Sequence, residues 1–415
     1  HAFALVSVLF YAAFTAAVCR LAARRAPALA LPAGLYVAFA PAFVTRYSLS
    51  NDGNYVEVLA LGAWALVAAL HAEAQDGRRP GAWLGVGLLL GLAFWCHLLA
   101  VIYAAALGLW LLARGPRRAI SLLPPLALGF VLGALPSLLW NAANGWESFL
   151  YLMPGGTQVG SFESGPGLFG RLRLIAATQA PVLLGYDPGY GPAADALLWW
   201  LSLVAVGAAA YATLHAARRW WRERDAASGL LLLVLVVNAA AALFGLPALA
   251  GNPRYLLFVV APLAVFLAEA LGRGPGRALL AAVVALGAVG SLAQAPGAWR
   301  ADRQWRALAA GLEAEGERHC YTDFFISTKI NFLSRERVVC SSELGPSTAE
   351  YFLDYRGRVA AAPRAAYVAA NGAQAEKLER RLQRLGVAYE RRDLMKPVLL
   401  HLARKVDPTE LFPDR

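Results

Sequence analysis

Along the first three quarters of the chain, apolar residues fall in long unbroken runs rather than in the short alternations of a soluble core. The runs extend from Phe3 to Leu21, Ala28 to Val44, Tyr55 to His71, Ala82 to Cys96, Leu98 to Leu112 and Ser121 to Trp140. After a long interruption they continue from Ala196 to Ala216, Gly229 to Leu246, Tyr255 to Leu271 and Ala278 to Ala295. A transmembrane helix needs about 20 predominantly apolar residues, and most of these runs come close to that length. The stretch from Ala82 to Leu112 is too long for one crossing and a little short for two, so it reads as a tight helical hairpin turning near His97. The pattern therefore predicts an α-helical polytopic membrane bundle of about ten transmembrane helices over residues 1–295.

From about Trp299 onward the pattern becomes that of a soluble domain. Helices are expected from Trp305 to Glu315, around Phe325 to Ser334 and from Ala373 to Leu385. Strands are expected around His319 to Asp323, Arg337 to Ser341, Ala366 to Ala369, Ala388 to Arg391 and Pro397 to Leu402. Such alternation favours a small sheet with helices against it, so residues 296–415 are expected to form a C-terminal soluble α/β domain. Cys320 and Cys340 fall on its first two strands, where they form either a disulfide or a reduced buried pair. Cys19 and Cys96 lie in apolar runs and read as small apolar residues.

Composition agrees: 59% of residues are hydrophobic and 16% charged, against roughly 45–50% and 25% in soluble domains. The net charge of +11 would suit a nucleic-acid partner if it were clustered, but its distribution excludes that reading. The basic residues gather in alternate loops: Arg20, Arg24 and Arg25; Arg78 and Arg79; Arg114, Arg117 and Arg118; Arg218, Arg219, Arg222 and Arg224; Arg273 and Arg277. Positive-inside insertion puts these five groups in the cytoplasm. The expected localisation is thus the cell (inner) membrane, multi-pass, with the C-terminal domain extracytoplasmic. The first apolar run starts at once after His1, so the chain reads as a fragment whose beginning is missing.

The loop over residues 141–195 is too long for a simple connection. Within it, Gly167 to Gly185 carries apolar residues at helical spacing with Arg171 and Arg173 on another face, the pattern of an interfacial helix. The Gly, Pro and Tyr residues from Gly185 to Pro192 form either an adaptable lid or an ordered cover.

Few ionisable or amide side chains lie on the outer side, and each has two readings. Asp52 is either an active-site carboxylate or the N-cap of the next helix. Glu57, one turn into that helix, is functional or a snorkelling carboxylate favoured by the helix dipole. His97 at the hairpin tip is a ligand-binding or a structural histidine. Asn141 and Asn144 either cap their helix or bind sugar hydroxyls. Arg254 stands against the general charge bias at a helix start, where the dipole disfavours it, so a negative partner is expected: a phosphate, a lipid headgroup or an acidic side chain.

Taken together, GNYVEVLALG, GLAFWCH, LGALPSLLWNAANG and PRYLLFVVAP resemble segments of bacterial glycosyltransferases of the GT-C superfamily. The likeness is to the family 39 type, related to protein mannosyltransferases and aminoarabinose transferases, and it covers approximately His1 to Ala295. The segment YTDFFISTKINFLSRERVVC resembles tails seen on some such proteins. The resemblance implies transfer of a sugar from a polyprenyl-phosphate-linked donor to a lipid, glycan or protein acceptor at the outer face. Chemically, a carboxylate base and a cationic phosphate clamp suffice, with or without a divalent metal; no other cofactor is expected. Arg254 would be the clamp, supported by Tyr255, with His97 and Asn141 also binding substrate. Asp52 and Glu57 match the second outer region of the family, whose principal acidic motif lies in the first; that base would precede His1. The competing readings are a transporter or flippase for a lipid-linked substrate and a non-catalytic membrane scaffold.

Overall fold

A computed structural model describes residues 2–49, 53–75, 79–150, 166–245, 249, 251–344, 353–394 and 397–412. The chain divides into two compact units, His1–Gln294 and Ala295–Arg415.

The first unit is helical. Its elements are α1 (Ala2–Ala23), α2 (Ala30–Ala38), α3 (Ala42–Leu49), α4 (Tyr55–Ala74), α5 (Pro80–Cys96), α6 (Val101–Arg114), α7 (Pro116–Ala143), α8 (Glu147–Leu150), α9 (Leu168–Leu174) and α10 (Ala180–Leu183). They continue with α11 (Pro192–Glu223), α12 (Ala226–Phe244), α13 (Val260–Leu271) and α14 (Gly276–Ala314), the last of which contains the boundary between the units. Each predicted apolar run is helical over most of its described residues. Among the described residues seven helices are long and apolar enough to cross a membrane, and the bent pair α2 and α3 makes an eighth candidate. The hairpin on either side of His97 consists of two shorter apolar helices, Pro80–Cys96 and Leu98–Arg114.

The run from Ala28 to Val44, expected as one span, is broken: α2 and α3 meet at 78°. Pro41 opens the second helix, and proline both lacks an amide donor and drives the preceding residue out of helical geometry. The freed carbonyl of Ala40 is not left bare. It accepts from the hydroxyls of Thr45 and Ser291, each at 3.0 Å, as backbone at membrane depth requires.

The tightest helix pairing is between α5 and α7, which run parallel with glycines at four-residue spacing on both. A Cβ added at Gly87, Gly91 or Gly129 would lie 2.1 Å from a carbonyl oxygen of the other helix, and one added at Gly133 would lie 2.3 Å away. Where lipid offers no hydrophobic drive for helix association, such close backbone approach supplies the dispersion contacts that do. The spacing GLLLG and GFVLG was visible in the sequence and is the signal that would have found this seam.

At one end of the bundle several of the arginines are held by acids that are largely buried. Arg25, 7% exposed, pairs with Asp225 at 2.5 Å and with Glu269 at 3.0 Å. Arg219 shares Glu269, and Glu73 receives Arg114 at 2.8 Å together with both Nη atoms of Arg118. A carboxylate buried without such partners would be strongly disfavoured. These acids sit late in α4 and α13 and immediately before α12, so their pairing joins the same helix ends that carry the arginine groups.

The second unit is a five-stranded sheet of β1 (His319–Thr322), β2 (Val339–Ser342), β3 (Ala366–Ala369), β4 (Tyr389–Asp393) and β5 (Val398–Leu402), in the order β2-β1-β3-β5-β4. The first three strands are parallel and the last two antiparallel. Side chains alternate between two cores: Tyr321, Tyr367 and Leu400 face one, while Cys320, Val368 and Leu399 face the other. Cys320 and Cys340 are directly opposed across β1 and β2 and form a disulfide, with Cα atoms 4.4 Å apart. β2 is an edge strand, and Asn331 covers it by accepting from the Cys340 amide at 2.7 Å and donating to the Cys340 carbonyl at 3.0 Å. The helix Leu353–Ala361 was not anticipated; its nine residues show no strong apolar stripe.

Candidate functional site

Among the described residues, the 3-10 turn Pro27–Leu29 follows Arg25 at the acid end, while three other irregular helical segments of the first unit gather at the end of the bundle opposite the paired acids. α4 runs from Tyr55 at this end to Glu73 at the other, roughly 30 Å along its axis. Here lie the 3-10 turn Leu98–Ala100 and a seven-residue 3-10 segment, Pro253–Val259, that leads into α13. The π-helical segment Ile175–Gln179 between α9 and α10 also packs against Pro253–Val259. Runs of 3-10 geometry beyond three or four residues are uncommon, and π segments frequently mark functional positions.

Arg254 lies in that 3-10 segment. Asn252 caps the segment by accepting from the Arg254 amide at 3.1 Å, and Asn238 of α12, itself buried, anchors it by donating to the Tyr255 carbonyl at 2.9 Å. The Arg254 guanidinium lies 4.8 Å from the centre of the Tyr255 ring and donates to the Tyr255 hydroxyl at 2.7 Å. Its Nε is buried without a partner, and among the described residues no carboxylate pairs with it. Arg46, whose guanidinium lies 5.6 Å from the ring centre of Tyr47, likewise has no carboxylate partner among the described residues.

An aromatic chain extends this surface. Tyr47 meets Tyr55 edge-on at 6.0 Å, and Tyr55 packs on His97 at 5.1 Å. His97 occupies the turn between α5 and the Leu98–Ala100 segment. Its Nδ1 accepts from the Leu99 amide at 3.1 Å, which puts the proton of the neutral ring on Nε2 and leaves that N–H as a donor. Burial, reinforced by the nearby Arg254 cation, lowers the His97 pKa to about 4, so the ring is neutral near pH 7. Asn54 crosses to the same turn and donates to the Cys96 carbonyl at 3.4 Å.

Glu57 is 7% exposed, and its Oε2 has no hydrogen-bond partner among the described residues. The carboxylate acts electrostatically on Cys96, beside His97. A snorkelling carboxylate would reach water; this one does not. Asp52 lies outside the described residues. Asn141 is buried, and its carboxamide is engaged locally: it donates to the Ser137 carbonyl at 2.9 Å and accepts from the Ser148 amide at 3.2 Å. Glu57, His97, Arg254 and Tyr255 are thus brought to one region by the elements that carry them. The described contacts of Asn141 tie it to the end of α7 and the start of α8 instead.

Arg171 also has a local task, donating to the carbonyls of Leu243 and Gly245 at the end of α12. In the segment Gly185 to Pro192, Asp195 accepts from the amides of Gly189 and Tyr190, while Asp187 receives Tyr190 at 3.1 Å and Gln294 at 2.5 Å. These bonds tie the segment to the start of α11 and to Gln294 of α14. Among the described residues no three His, Cys, Asp or Glu side chains converge as a metal site.

No protein-family model and no curated protein sequence matches the chain. The fold does have a solved counterpart. The crystal structure of the Archaeoglobus fulgidus oligosaccharyltransferase in the apo form superposes with a TM-score of 0.50 at 13% sequence identity. The match covers 88% of this chain and 58% of the archaeal one, so the chain spans little more than half the length of that protein. The likeness is one of fold: the multi-pass helical bundle with a C-terminal α/β unit expected from the sequence is found, and it shares its fold with that archaeal protein.

Proposed function

We propose, from that shared fold, that the protein is a membrane glycosyltransferase moving a sugar from a polyprenyl-phosphate donor to an acceptor at the extracytoplasmic face of the cell membrane. The observation that carries this reading is the contrast between the two ends of the bundle. The arginines Arg25, Arg114, Arg118 and Arg219 are answered by acids, whereas Arg254 is held by the ring and hydroxyl of Tyr255, with no carboxylate among the described residues to neutralise it. A guanidinium so placed suits an anion, and its fork matches phosphate oxygens. The basic groups at the other end favour a cytoplasmic location there, which supports an outer location for Arg254 and His97.

In the reaction, an acceptor hydroxyl attacks the anomeric carbon while the bond from that carbon to the lipid phosphate breaks. Arg254 and the Tyr255 hydroxyl would stabilise the charge growing on the departing polyprenyl phosphate. The acceptor proton must go to a base, and Glu57, whose Oε2 is buried, is the described carboxylate assigned to this role here. The neutral His97 donates from Nε2 without adding charge. The apolar outer surface of the bundle gives a polyprenyl chain access from the bilayer.

Membranes containing the full-length protein are expected to transfer labelled sugar from at least one polyprenyl-phosphate sugar, and matched membranes without it to transfer none. If donor is moved between leaflets with no sugar leaving the lipid, the flippase reading replaces this one.

A further inference from the structure

At the acid-rich end some arginines are paired with carboxylates and others are not. Arg224 has no carboxylate or hydrogen-bonding partner for its guanidinium among the described residues. It is instead stacked at 5.0 Å from the ring centre of Trp220 and 4.5 Å from that of Trp221. Its backbone is left-handed, with φ of 53°, a conformation that disfavours residues with a Cβ. That backbone closes α11 by donating to the Trp220 carbonyl at 2.7 Å, and the turn it makes sets the side chain over the two indoles.

Beside it is a cavity of about 740 Å³ between α6, α11 and α12, walled by Leu109, Leu233 and Val236 and edged by Trp110, Trp220, Arg114 and Arg224. The wall is continuous with apolar side chains on the outside of the bundle, where Leu109, Leu112 and Val236 are about half exposed. Arg114 lies 5.1 Å from the ring centre of Trp110 and bonds Glu73 through Nε. Asp225 also lines the cavity, but its charge is met by Arg25 and by the amides of Ala227 and Ser228. The rim is therefore cationic, the body apolar, and tryptophan stands between them, the arrangement found where side chains meet lipid headgroups.

We infer that this cavity is a binding site for an acidic phospholipid, one acyl chain lying along Leu233 and Val236 and the headgroup phosphate meeting Arg224, with Arg114 adding to the field. A zwitterionic lipid would fill the same apolar wall but would bring no net charge to Arg224. The site is at the opposite end of the bundle from Arg254 and does not depend on the transfer reaction.

The test uses quenching of the rim tryptophans in the full-length protein, reconstituted in phosphatidylcholine vesicles that carry a small fraction of brominated phosphatidylglycerol or brominated phosphatidylcholine. The acidic lipid is expected to quench at the lower mole fraction. Arg224→Gln should weaken its apparent affinity about fivefold, the contribution of one basic side chain at an anionic headgroup, while Arg224→Lys, with the same backbone demand, should keep most of the preference. Equal quenching of the wild-type protein by the two brominated lipids would overturn the proposal. So would equal loss of the preference in the Gln and Lys variants, which would show that the charge is not what is read.

Discussion

Arg254→Ala is expected to lower sugar transfer from the polyprenyl-phosphate donor by about 10²- to 10³-fold, the loss seen when a preorganised charge-stabilising donor is removed. The amount of folded protein in the membrane should not change, because among the described residues the guanidinium bonds only the adjacent Tyr255 hydroxyl, and the segment is anchored by Asn252 and Asn238 through the backbone. Arg254→Lys keeps the charge but not the planar fork, and should recover part of the rate. Full activity in the Ala variant, measured per folded protein with labelled donor, would remove Arg254 from the phosphate site.

The second large effect is structural. Gly91→Ala adds a single methyl group, yet places it 2.1 Å from the carbonyl oxygen of Phe130. Backbone cannot move aside as a side chain can, so α5 and α7 must separate along the seam shared by Gly87, Gly129 and Gly133. Overpacking of this kind costs about 1–3 kcal/mol in soluble cores, and the upper end or beyond is expected where two helix backbones meet. Gly108→Ala is the control: nothing lies within 4 Å of its added Cβ, and replacing a helical glycine by alanine should be neutral or stabilising by up to about 1 kcal/mol. Thermal unfolding of the two variants in detergent should therefore move in opposite directions; equal shifts would mean that the seam is not at backbone contact. The effect reaches the site because α5 ends at Cys96 and presents His97.

The apolar runs and the strands of the second unit were legible because burial in lipid or in a sheet imposes a period on the sequence. His319 to Asp323 and Ala366 to Ala369 match β1 and β3 closely for that reason. The break at Pro41 was legible in principle, since a proline stands in the run, but composition alone drew a single span. Arg254 could be singled out because it opposed the charge bias of its side of the membrane. Other features depend on contacts distant in sequence: Arg25 with Glu269, and the burial of Glu57. No local pattern announces which arginine in a basic loop will find an acid 244 residues away, and so the paired and unpaired cations looked alike in the sequence.

The most direct measurement is photocrosslinking of a polyprenyl-phosphate analogue, with the reactive group beside the phosphate, to the full-length protein, followed by identification of the labelled peptides. Labelling is expected on peptides holding Arg254 and Tyr255 and on those holding Tyr55 and His97, with competition by unlabelled polyprenyl-phosphate sugar. Competable labelling confined to the opposite end, around Arg114 and Arg224, would contradict the placement of the donor site.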